Sequence, residues 1–156
     1  MDSKANKIKV LYVDDEGDNL TAFKAAFRRE FEIFTAISGN EALKIVVKEI
    51  PEVIVTDQRM PNMSGIEFLQ EVIKINSSSM RLLLTGFADI SAVIDAINKG
   101  QVYRYLTKPW NHDEVKQAIN DSYELYSLRK QNASLLEELE IVNNQLEFLL
   151  RQKLLS

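Results

Sequence analysis

The chain has 156 residues, of which 46% are hydrophobic and 27% charged, so it has enough apolar side chain for a packed core and is not a wholly disordered chain. Its 19 Lys and Arg and 23 Asp and Glu give a net charge of −4, which argues against a large basic face that wraps nucleic acid. The chain has no cysteine, which excludes disulfides, thiol nucleophiles and cysteine metal sites.

The beginning of the chain is polar and lacks the apolar stretch of a secretion signal. No apolar run approaches the roughly 20 residues that cross a bilayer. We therefore expect a cytoplasmic protein with no direct contact to a membrane or to nucleic acid.

Five short runs of strand-like composition alternate with helical patterns. They cover residues 8–13, 32–36, 53–56, 81–85 and 102–106. The first, third and fourth runs are almost continuously apolar, which is typical of strands buried on both faces of a parallel sheet. The second and fifth runs are more mixed, and we expect them at outer positions.

Between these runs, apolar residues recur at the three- and four-residue spacing of helices. Ser38 and Ser64 each precede a Glu by three residues, the spacing of a helix-capping box, and Asn111 precedes Glu114 in the same way. Gly100 stands where a helix should stop. Strand–helix alternation repeated five times predicts an α/β fold, a doubly wound parallel sheet with helices on both faces.

The pattern changes near Ser122, after which the chain contains neither Gly nor Pro. A heptad seam follows, at alternating spacings of three and four: Leu125, Leu128, Asn132, Leu135, Leu139, Val142, Leu146 and Leu149. Because no helix breaker separates this seam from Asn111, we expect one long helix from about Asn111 to beyond Leu149. The predicted division is a domain of residues 1–121 and a coiled-coil helix of residues 122–156, continuous with the fifth helix.

This helix has two possible arrangements: it folds back on its own domain, or it pairs with another chain. A body of five strands and five helices looks complete, which favours pairing. Asn132 occupies an a position, where two Asn side chains can bond across a parallel two-stranded coiled coil, so we expect a homodimer. Leu136 and Leu150 occupy e positions and widen the apolar face, which leaves open a higher oligomer or further sequence that covers them.

Polar and charged side chains follow four of the predicted strands. The first strand ends in Asp14, Asp15 and Glu16, the third in Asp57, the fourth in Thr85 and the fifth in Thr107 and Lys108. The carboxyl ends of parallel strands meet at one edge of an open sheet. Singly, each residue has an ordinary explanation as a helix cap, a turn residue or a solvated charge. Their joint placement predicts a site.

The chemistry of this set favours aspartyl phosphorylation. Three carboxylates in a small volume repel one another, and a hard divalent cation such as Mg²⁺ relieves the repulsion. A carboxylate can act as the nucleophile that forms an acyl phosphate. Lys108 would balance the charge of a phosphoryl group, and the Thr85 hydroxyl can donate to one of its oxygens.

Four motifs surround these positions: VDDE at residues 13–16, TDQRMPNMSG at 56–65, LTG at 84–86 and YLTKPW at 105–110. In this combination they are highly specific, and the first 120 or so residues resemble the receiver domain of two-component response regulators. The resemblance implies a (βα)₅ flavodoxin-like fold with strand order 2-1-3-4-5.

By this resemblance, Asp57 is the phosphoacceptor, and the donor is a phosphohistidine on a sensor histidine kinase or a phosphotransfer protein. The resemblance implies that Asp15, Asp57 and the backbone carbonyl of Arg59 bind Mg²⁺ directly, with Asp14 helping through water. Such a domain accepts a phosphoryl group and loses it slowly; it is not itself an enzyme.

The resemblance further implies that Lys108 contacts the phosphoryl group and that Thr85 and Tyr105 form a coupled switch pair. We expect phosphorylation to reshape the surface of the fourth helix, fifth strand and fifth helix, and through the last helix to change dimerisation. No output domain is visible, so we expect the front part of a longer regulator. Residues 103–110 resemble receivers that precede cyclic-nucleotide-handling or phosphatase-type effectors.

Five further residues attract attention. Arg59 and Phe87 stand two residues beyond Asp57 and Thr85, and we expect them to hinder hydrolytic water. Trp110 and Tyr103 are expected as exposed aromatics on the face formed by the fourth helix, fifth strand and fifth helix, with packing as the alternative. His112, the only histidine, is interpreted as a surface residue.

Three other functions are alternatives to this interpretation of the sequence. A haloacid-dehalogenase-like phosphohydrolase would have two Asp separated by one residue after the first strand, whereas Asp14 and Asp15 are adjacent. A flavin-binding protein would need a hydroxyl-rich phosphate loop in place of this acidic one. The remaining alternative is a coiled-coil dimerisation scaffold that acts independently of phosphorylation.

Overall fold

The computed structural model describes residues 7–156, apart from the side chain of Phe87. Its strands are β1 (Lys9–Val13), β2 (Glu32–Ala36), β3 (Val53–Asp57), β4 (Met80–Thr85) and β5 (Arg104–Thr107). Its helices are α1 (Gly17–Phe27), α2 (Gly39–Glu49), α3 (Gly65–Ile75), α4 (Ile90–Asn98) and α5 (His112–Leu155). A short 3₁₀ turn, Phe87–Asp89, precedes α4.

The five strands form one parallel sheet in the order β2-β1-β3-β4-β5. The predicted flavodoxin-like fold is therefore confirmed. Among the strand boundaries, the start of β5 differs most from the prediction: the strand begins at Arg104, two residues after the predicted Val102. The Val102 amide donates to the carbonyl of Ala96 at 3.3 Å, so Val102 belongs to the turn that closes α4 and not to the strand.

The three central strands are buried because their apolar runs are continuous. Leu11 of β1, Ile54 of β3 and Leu83 of β4 have no exposed surface. All five residues of β3 are buried, including the polar Thr56 and Asp57. Each fully buried Leu or Ile side chain contributes roughly 1.5–3 kcal/mol of transfer free energy, so this core fixes the strand ends that carry the site.

The predicted helix ends are present. The capping box at Ser64 is complete: Ser64 Oγ accepts the Glu67 amide at 3.2 Å, and the Glu67 carboxylate accepts the Ser64 amide at 3.1 Å. Asn111 caps α5 by accepting the Glu114 amide at 3.1 Å. Gly100 ends the α4 region with φ +74°, a left-handed conformation that glycine adopts without strain.

Helix α5 runs without interruption for 44 residues, as the lack of breakers predicts. The chain divides into two compact units, Met1–Tyr123 and Glu124–Ser156. In the first unit α5 buries Val115, Ala118 and Ile119. In the second unit the heptad side chains from Leu128 onwards are exposed in the single chain, and Leu135 is 61% exposed. Within residues 7–156, no helix combines the length and the apolar composition needed to cross a membrane.

Candidate functional site

Three carboxylates meet where β1 and β3 end. Asp14 and Asp15 directly follow β1, and Asp57 is the last residue of the neighbouring strand β3. One oxygen from each of the three carboxylates lies within 4.8 Å of the others. This is the side of the sheet, beyond the carboxyl ends of the strands, where open parallel sheets bind ligands. The structure thus brings together the acidic residues that the sequence singled out.

Asp14 is completely buried and is held by three donors. Its Oδ2 accepts the Tyr12 hydroxyl at 2.8 Å and the Asn19 amide at 3.1 Å, and its Oδ1 accepts the backbone amide of Glu16 at 3.0 Å. Burial and the neighbouring Asp14 raise the pKa of Tyr12, which keeps its hydroxyl protonated as a donor. The carboxylate is therefore fixed in place with its charge compensated by hydrogen bonds.

Sequence reasoning did not find Tyr12 and Asn19 as supporting residues. A signal for Tyr12 was available, because side chains two apart on a strand share a face and Tyr12 precedes Asp14 by two. Asn19 gave no comparable signal, since its contact with Asp14 depends on the path of the chain between the end of β1 and the start of α1.

Asp57 has 7% of its surface exposed and pairs with Lys108, whose Nζ lies 2.7 Å from Oδ1. Burial raises the pKa of Asp57; the Lys108 ammonium opposes that rise, and the Asp14 carboxylate adds to it. Because burial outweighs the ion pair, Asp57 holds its proton more tightly than an exposed aspartic acid. The Lys108–Pro109 peptide bond is cis.

The backbone around Asp57 is tightly packed. A Cβ added at Gly65 would overlap the carbonyl oxygen of Asp57 and come within 2.9 Å of Leu83. The Gln58 carbonyl accepts the Gly65 amide at 3.0 Å, and its side-chain oxygen accepts the Ile66 amide at 2.9 Å. Gln58, which the sequence did not indicate, therefore ties the end of β3 to the start of α3.

Thr85 is buried at the end of β4, and its hydroxyl donates to the backbone carbonyl of Gly86 at 3.1 Å. Tyr105 of β5 is half-buried and packs against the hydrophobic core. The two predicted switch residues are thus on neighbouring strands, in the register Leu83↔Tyr105 and Thr85↔Thr107.

A cleft of about 370 Å³ opens over this edge of the sheet. It is lined by Asp15, Glu16, Asp57, Gln58, Arg59, Thr85, Gly86, Ala88, Asp89 and Lys108. Two of the lining residues form an ion pair with each other: Arg59 Nε lies 2.9 Å from Asp89 Oδ2. The side chain of Phe87 lies outside the described part of the structure, so the expectation that Arg59 and Phe87 hinder water stays a prediction.

Of the aromatic residues near α5, only Trp110 departs from the position expected first. Trp110 packs against Phe23 and Phe27 of α1, with ring centroids 5.8 and 5.5 Å away. The alternative expectation, that Trp110 is a packing residue, is therefore the correct one. His112 is a surface residue, as predicted, with 43% of its side chain exposed. Its ring stacks on Phe27 at 4.6 Å, and its Nε2 lies 3.1 Å from the Ala26 carbonyl. Tyr103 is 39% exposed, as expected.

The donor set fits Mg²⁺. Carboxylate oxygens are the ligands that hard divalent cations prefer, and three converge here with a fourth carboxylate, Glu16, lining the same cleft. Asp14 is deeply buried and held by hydrogen bonds, whereas Asp15 is more exposed. The cluster of Asp14, Asp15 and Asp57 could therefore hold a divalent cation.

Solved structures of similar fold define the class of protein. A response regulator receiver domain protein from Clostridium thermocellum has 32% sequence identity and a TM-score of 0.74, over 78% of this chain and 98% of that one. A structure described as adenylate cyclase from Rhodopirellula baltica has 38% identity and a TM-score of 0.81, over 84% of this chain and 98% of that one. The fold and its acidic cleft are those of a receiver domain.

Sequence comparison agrees with this class. Residues 10–120 match the response regulator receiver domain family, and the chain belongs to that family. Over 122 residues the chain is 32% identical to the hydrogenase transcriptional regulatory protein HoxA of Bradyrhizobium diazoefficiens. That match covers 78% of this chain and 25% of HoxA, so the chain spans about a quarter of the length of this relative.

Proposed function

We propose that the protein is a phosphoacceptor in two-component signalling and that Asp57 receives the phosphoryl group. The observation that carries this proposal is the surroundings of Asp57. Its carboxylate lies within 4.8 Å of those of Asp14 and Asp15, and Lys108 is bound to its Oδ1 at 2.7 Å. Asp57 also lines an open cleft, which a phosphodonor can enter.

The donor in this proposal is a phosphohistidine on a sensor histidine kinase or a phosphotransfer protein. A carboxylate oxygen of Asp57 forms the new bond to phosphorus while the bond from phosphorus to the imidazole nitrogen breaks. The electron pair of that bond stays with the imidazole. The protein acts as an acceptor and not as an enzyme, and we place it in the cytoplasm, where such donors would reach it.

Mg²⁺ would be held by Asp15, Asp57 and the backbone carbonyl of Arg59, with Asp14 contributing through water. When bound, it would neutralise the charge of the phosphoryl oxygens and of the crowded carboxylates. Lys108 orients Oδ1 of Asp57 and offers its ammonium to the incoming oxygens. The Tyr12 hydroxyl holds Asp14 by a hydrogen bond of 2.8 Å.

The response to phosphorylation would begin at Thr85. A phosphoryl group adds roughly −1.5 to −2 charge, and the Thr85 hydroxyl, now donating to the Gly86 carbonyl, would turn towards the new oxygens. Tyr105 on the neighbouring strand would move further inward into the space that Thr85 leaves. Phosphorylation would thereby shift the population towards a second shape of the α4, β5 and α5 surface.

The receiver domain is assigned to residues 1–121 and the coiled-coil helix to residues 122–156. The exposed leucines of α5, among them Leu135 and Leu149, support pairing with a second copy. Asn132 at an a position supports two parallel strands. An output domain would follow this helix in a longer regulator, as HoxA is about four times the length matched here. The name of the Rhodopirellula structure supports an effector that handles cyclic nucleotides.

The phosphoacceptor proposal is tested by intact-mass measurement after incubation with acetyl phosphate and Mg²⁺. We expect the wild type to gain the mass of one phosphoryl group and Asp57→Asn to gain none. Asp18→Asn is the matched control, because it removes an acid from the first turn of α1, outside the cluster. No gain in the wild type, or an equal gain in Asp57→Asn, would overturn the proposal.

The dimer proposal has a separate test. Light scattering and an interhelix distance, measured between spin labels on α5, should differ with and without beryllofluoride, a phosphoryl analogue. A dimer that forms equally and with an unchanged distance in both states would support the scaffold that acts independently of phosphorylation. A monomer in both states would contradict both proposals for α5.

A further inference from the structure

The ion pair between Arg59 and Asp89 joins two separate parts of the candidate site. Arg59 follows Asp57 by two residues, at the exit from β3, and Asp89 directly precedes α4. Their side chains meet at 2.9 Å, and both line the cleft that contains Asp57. The contact therefore connects the loop after the phosphoacceptor strand to the beginning of α4.

The carboxylate of Asp89 is used for this contact and for no helix cap. Asp89 stands at the N-cap position of α4, where an Asp side chain ordinarily accepts an amide of the first turn. Its side chain makes no such bond, and its backbone, at φ −107° and ψ 13°, is not in the extended conformation of a capping residue. Arg59 is thus the partner that holds this carboxylate.

The side chains that line the cleft offer a phosphoryl group few cations of the protein's own. Four carboxylates line it, those of Asp15, Glu16, Asp57 and Asp89, and the lining cations are Arg59 and Lys108. Lys108 is already bound to Asp57. A phosphoryl group on Asp57 would add further negative charge to this surface. Arg59 is the other lining cation, and its planar guanidinium can bind two phosphoryl oxygens at once.

The present partner of Arg59 can be displaced. The Arg59 side chain is 72% exposed, and ion pairs at that exposure are weak. A phosphoryl group carries about twice the charge of a carboxylate and would lie in the same cleft. The competition for the guanidinium would therefore favour the phosphoryl group over Asp89.

We propose that Arg59 exchanges partners: it is held by Asp89 at rest and binds the phosphoryl group once Asp57 carries it. The inference rests on the proposed function, because it takes Asp57 as the phosphoacceptor. In this exchange Asp89 is a positioning residue that keeps the guanidinium at the cleft. Once Asp89 is released, the segment before α4 is no longer held to the loop after β3. Phosphorylation of Asp57 thereby affects α4 through this ion pair as well as through Thr85.

The test follows the Nε–H group of Arg59 by NMR, using beryllofluoride and Mg²⁺ as the phosphoryl analogue. At rest in the wild type, the ion pair should protect this proton from exchange with water. Asp89→Asn should lose the protection at rest and regain it when beryllofluoride binds. Asp95→Asn is the matched control, since it removes the same charge from α4 and breaks only the Lys99 pair, so it should behave like the wild type.

Affinity supplies a second readout. Arg59→Gln should weaken beryllofluoride binding roughly tenfold, equal to ~1.4 kcal/mol, and Arg59→Lys should recover part of that loss because it restores the charge. Fluorine NMR reports whether beryllofluoride binds at all. Absence of binding to the wild type would overturn the proposed function. Binding without renewed protection of Arg59 in Asp89→Asn, or with equal affinity in Arg59→Gln, would overturn the partner exchange alone.

Discussion

The ammonium of Lys108 lies 2.7 Å from Oδ1 of Asp57, yet the pKa of Asp57 remains above its ordinary value. Burial of this carboxylate and the charge of Asp14 together outweigh an ion pair of good geometry. Ionised Asp57 therefore costs free energy in this structure even with Lys108 beside it. An added positive charge, from Mg²⁺ or a protein cation, would relieve the repulsion between the Asp57 and Asp14 carboxylates, and this relief would favour its binding.

Lys108→Ala should raise the pKa of Asp57 further, because the substitution removes the main group that lowers it. The measurement is an NMR titration of the Asp57 side-chain carbon in buffer without Mg²⁺. Lys99→Ala provides the control, because it removes an equal charge from a lysine that pairs with Asp95 on α4 and not with Asp57. An Asp57 pKa that stays the same in Lys108→Ala would contradict the ion pair.

Asp57→Asn should stabilise the protein at neutral pH in the absence of Mg²⁺, by roughly 1 kcal/mol, the usual scale of a single substitution. The folded-state pKa of Asp57 lies above 3.8, so its contribution to stability is complete below 3.8 and is lost as pH rises through the folded value. The difference between variant and wild type should grow over that window and then level off. Urea unfolding at several pH values measures it, and a difference that shrinks with rising pH would contradict the sign.

Magnesium should raise the unfolding free energy of the wild type, and Asp15→Asn should lose most of that increase. Because the ion binds the folded state, the gain is about 2.7 kcal/mol at a Mg²⁺ concentration 100-fold above its dissociation constant. Thermal unfolding with Mg²⁺ and with EDTA gives the comparison. Asp18→Asn, outside the cluster, should respond like the wild type. An equal response of Asp15→Asn would exclude Asp15 as a ligand.

Gly65→Ala should destabilise the protein by at least ~2 kcal/mol, because the new Cβ meets the Asp57 backbone. It should also displace Asp57 and slow its phosphorylation. Gly17→Ala is the contrast, as nothing lies within 4 Å of its added Cβ and alanine favours a helix. Urea unfolding of the two variants decides the matter: equal midpoints would show that the close approach at Gly65 relaxes without cost.

Asn132→Leu should stabilise the α5 pairing and make its oligomeric state less uniform, because the polar contact that specifies two strands is lost. Sedimentation equilibrium and thermal unfolding measure the two effects. Asn144→Leu adds the same side chain at an f position, away from the seam, and should change neither. If the two variants behave alike, the heptad assignment is wrong.

The sheet and its acidic edge could be predicted because their signals are local. Continuous apolar runs marked β1, β3 and β4, and the residues directly after them had to meet at one edge. The positions of Asp14, Asp15 and Asp57 directly after predicted strands were sufficient to predict that their carboxylates lie close together. The length of α5 followed equally from the lack of Gly and Pro after Ser122.

The supporting contacts could not be predicted, because they join residues far apart in sequence. Arg59 and Asp89 are 30 residues apart and meet only through the positions of two loops. His112 and Ala26 are 86 residues apart, and their contact depends on how α5 packs against α1. The sequence left Trp110 between an exposed and a packed position for the same reason: an aromatic side chain after a strand can turn to either side of the sheet.

The position of Trp110 has a practical consequence. It is the only tryptophan of the chain, and its ring lies edge-on to Phe23. Phe23 stacks on Tyr12 at 4.0 Å, and the hydroxyl of Tyr12 holds Asp14. The molecule thus contains a natural fluorophore two rings away from its acidic cluster. If an ion or a phosphoryl group binds there, we expect the emission of Trp110 to change, which stopped-flow fluorescence on the unmodified chain would measure.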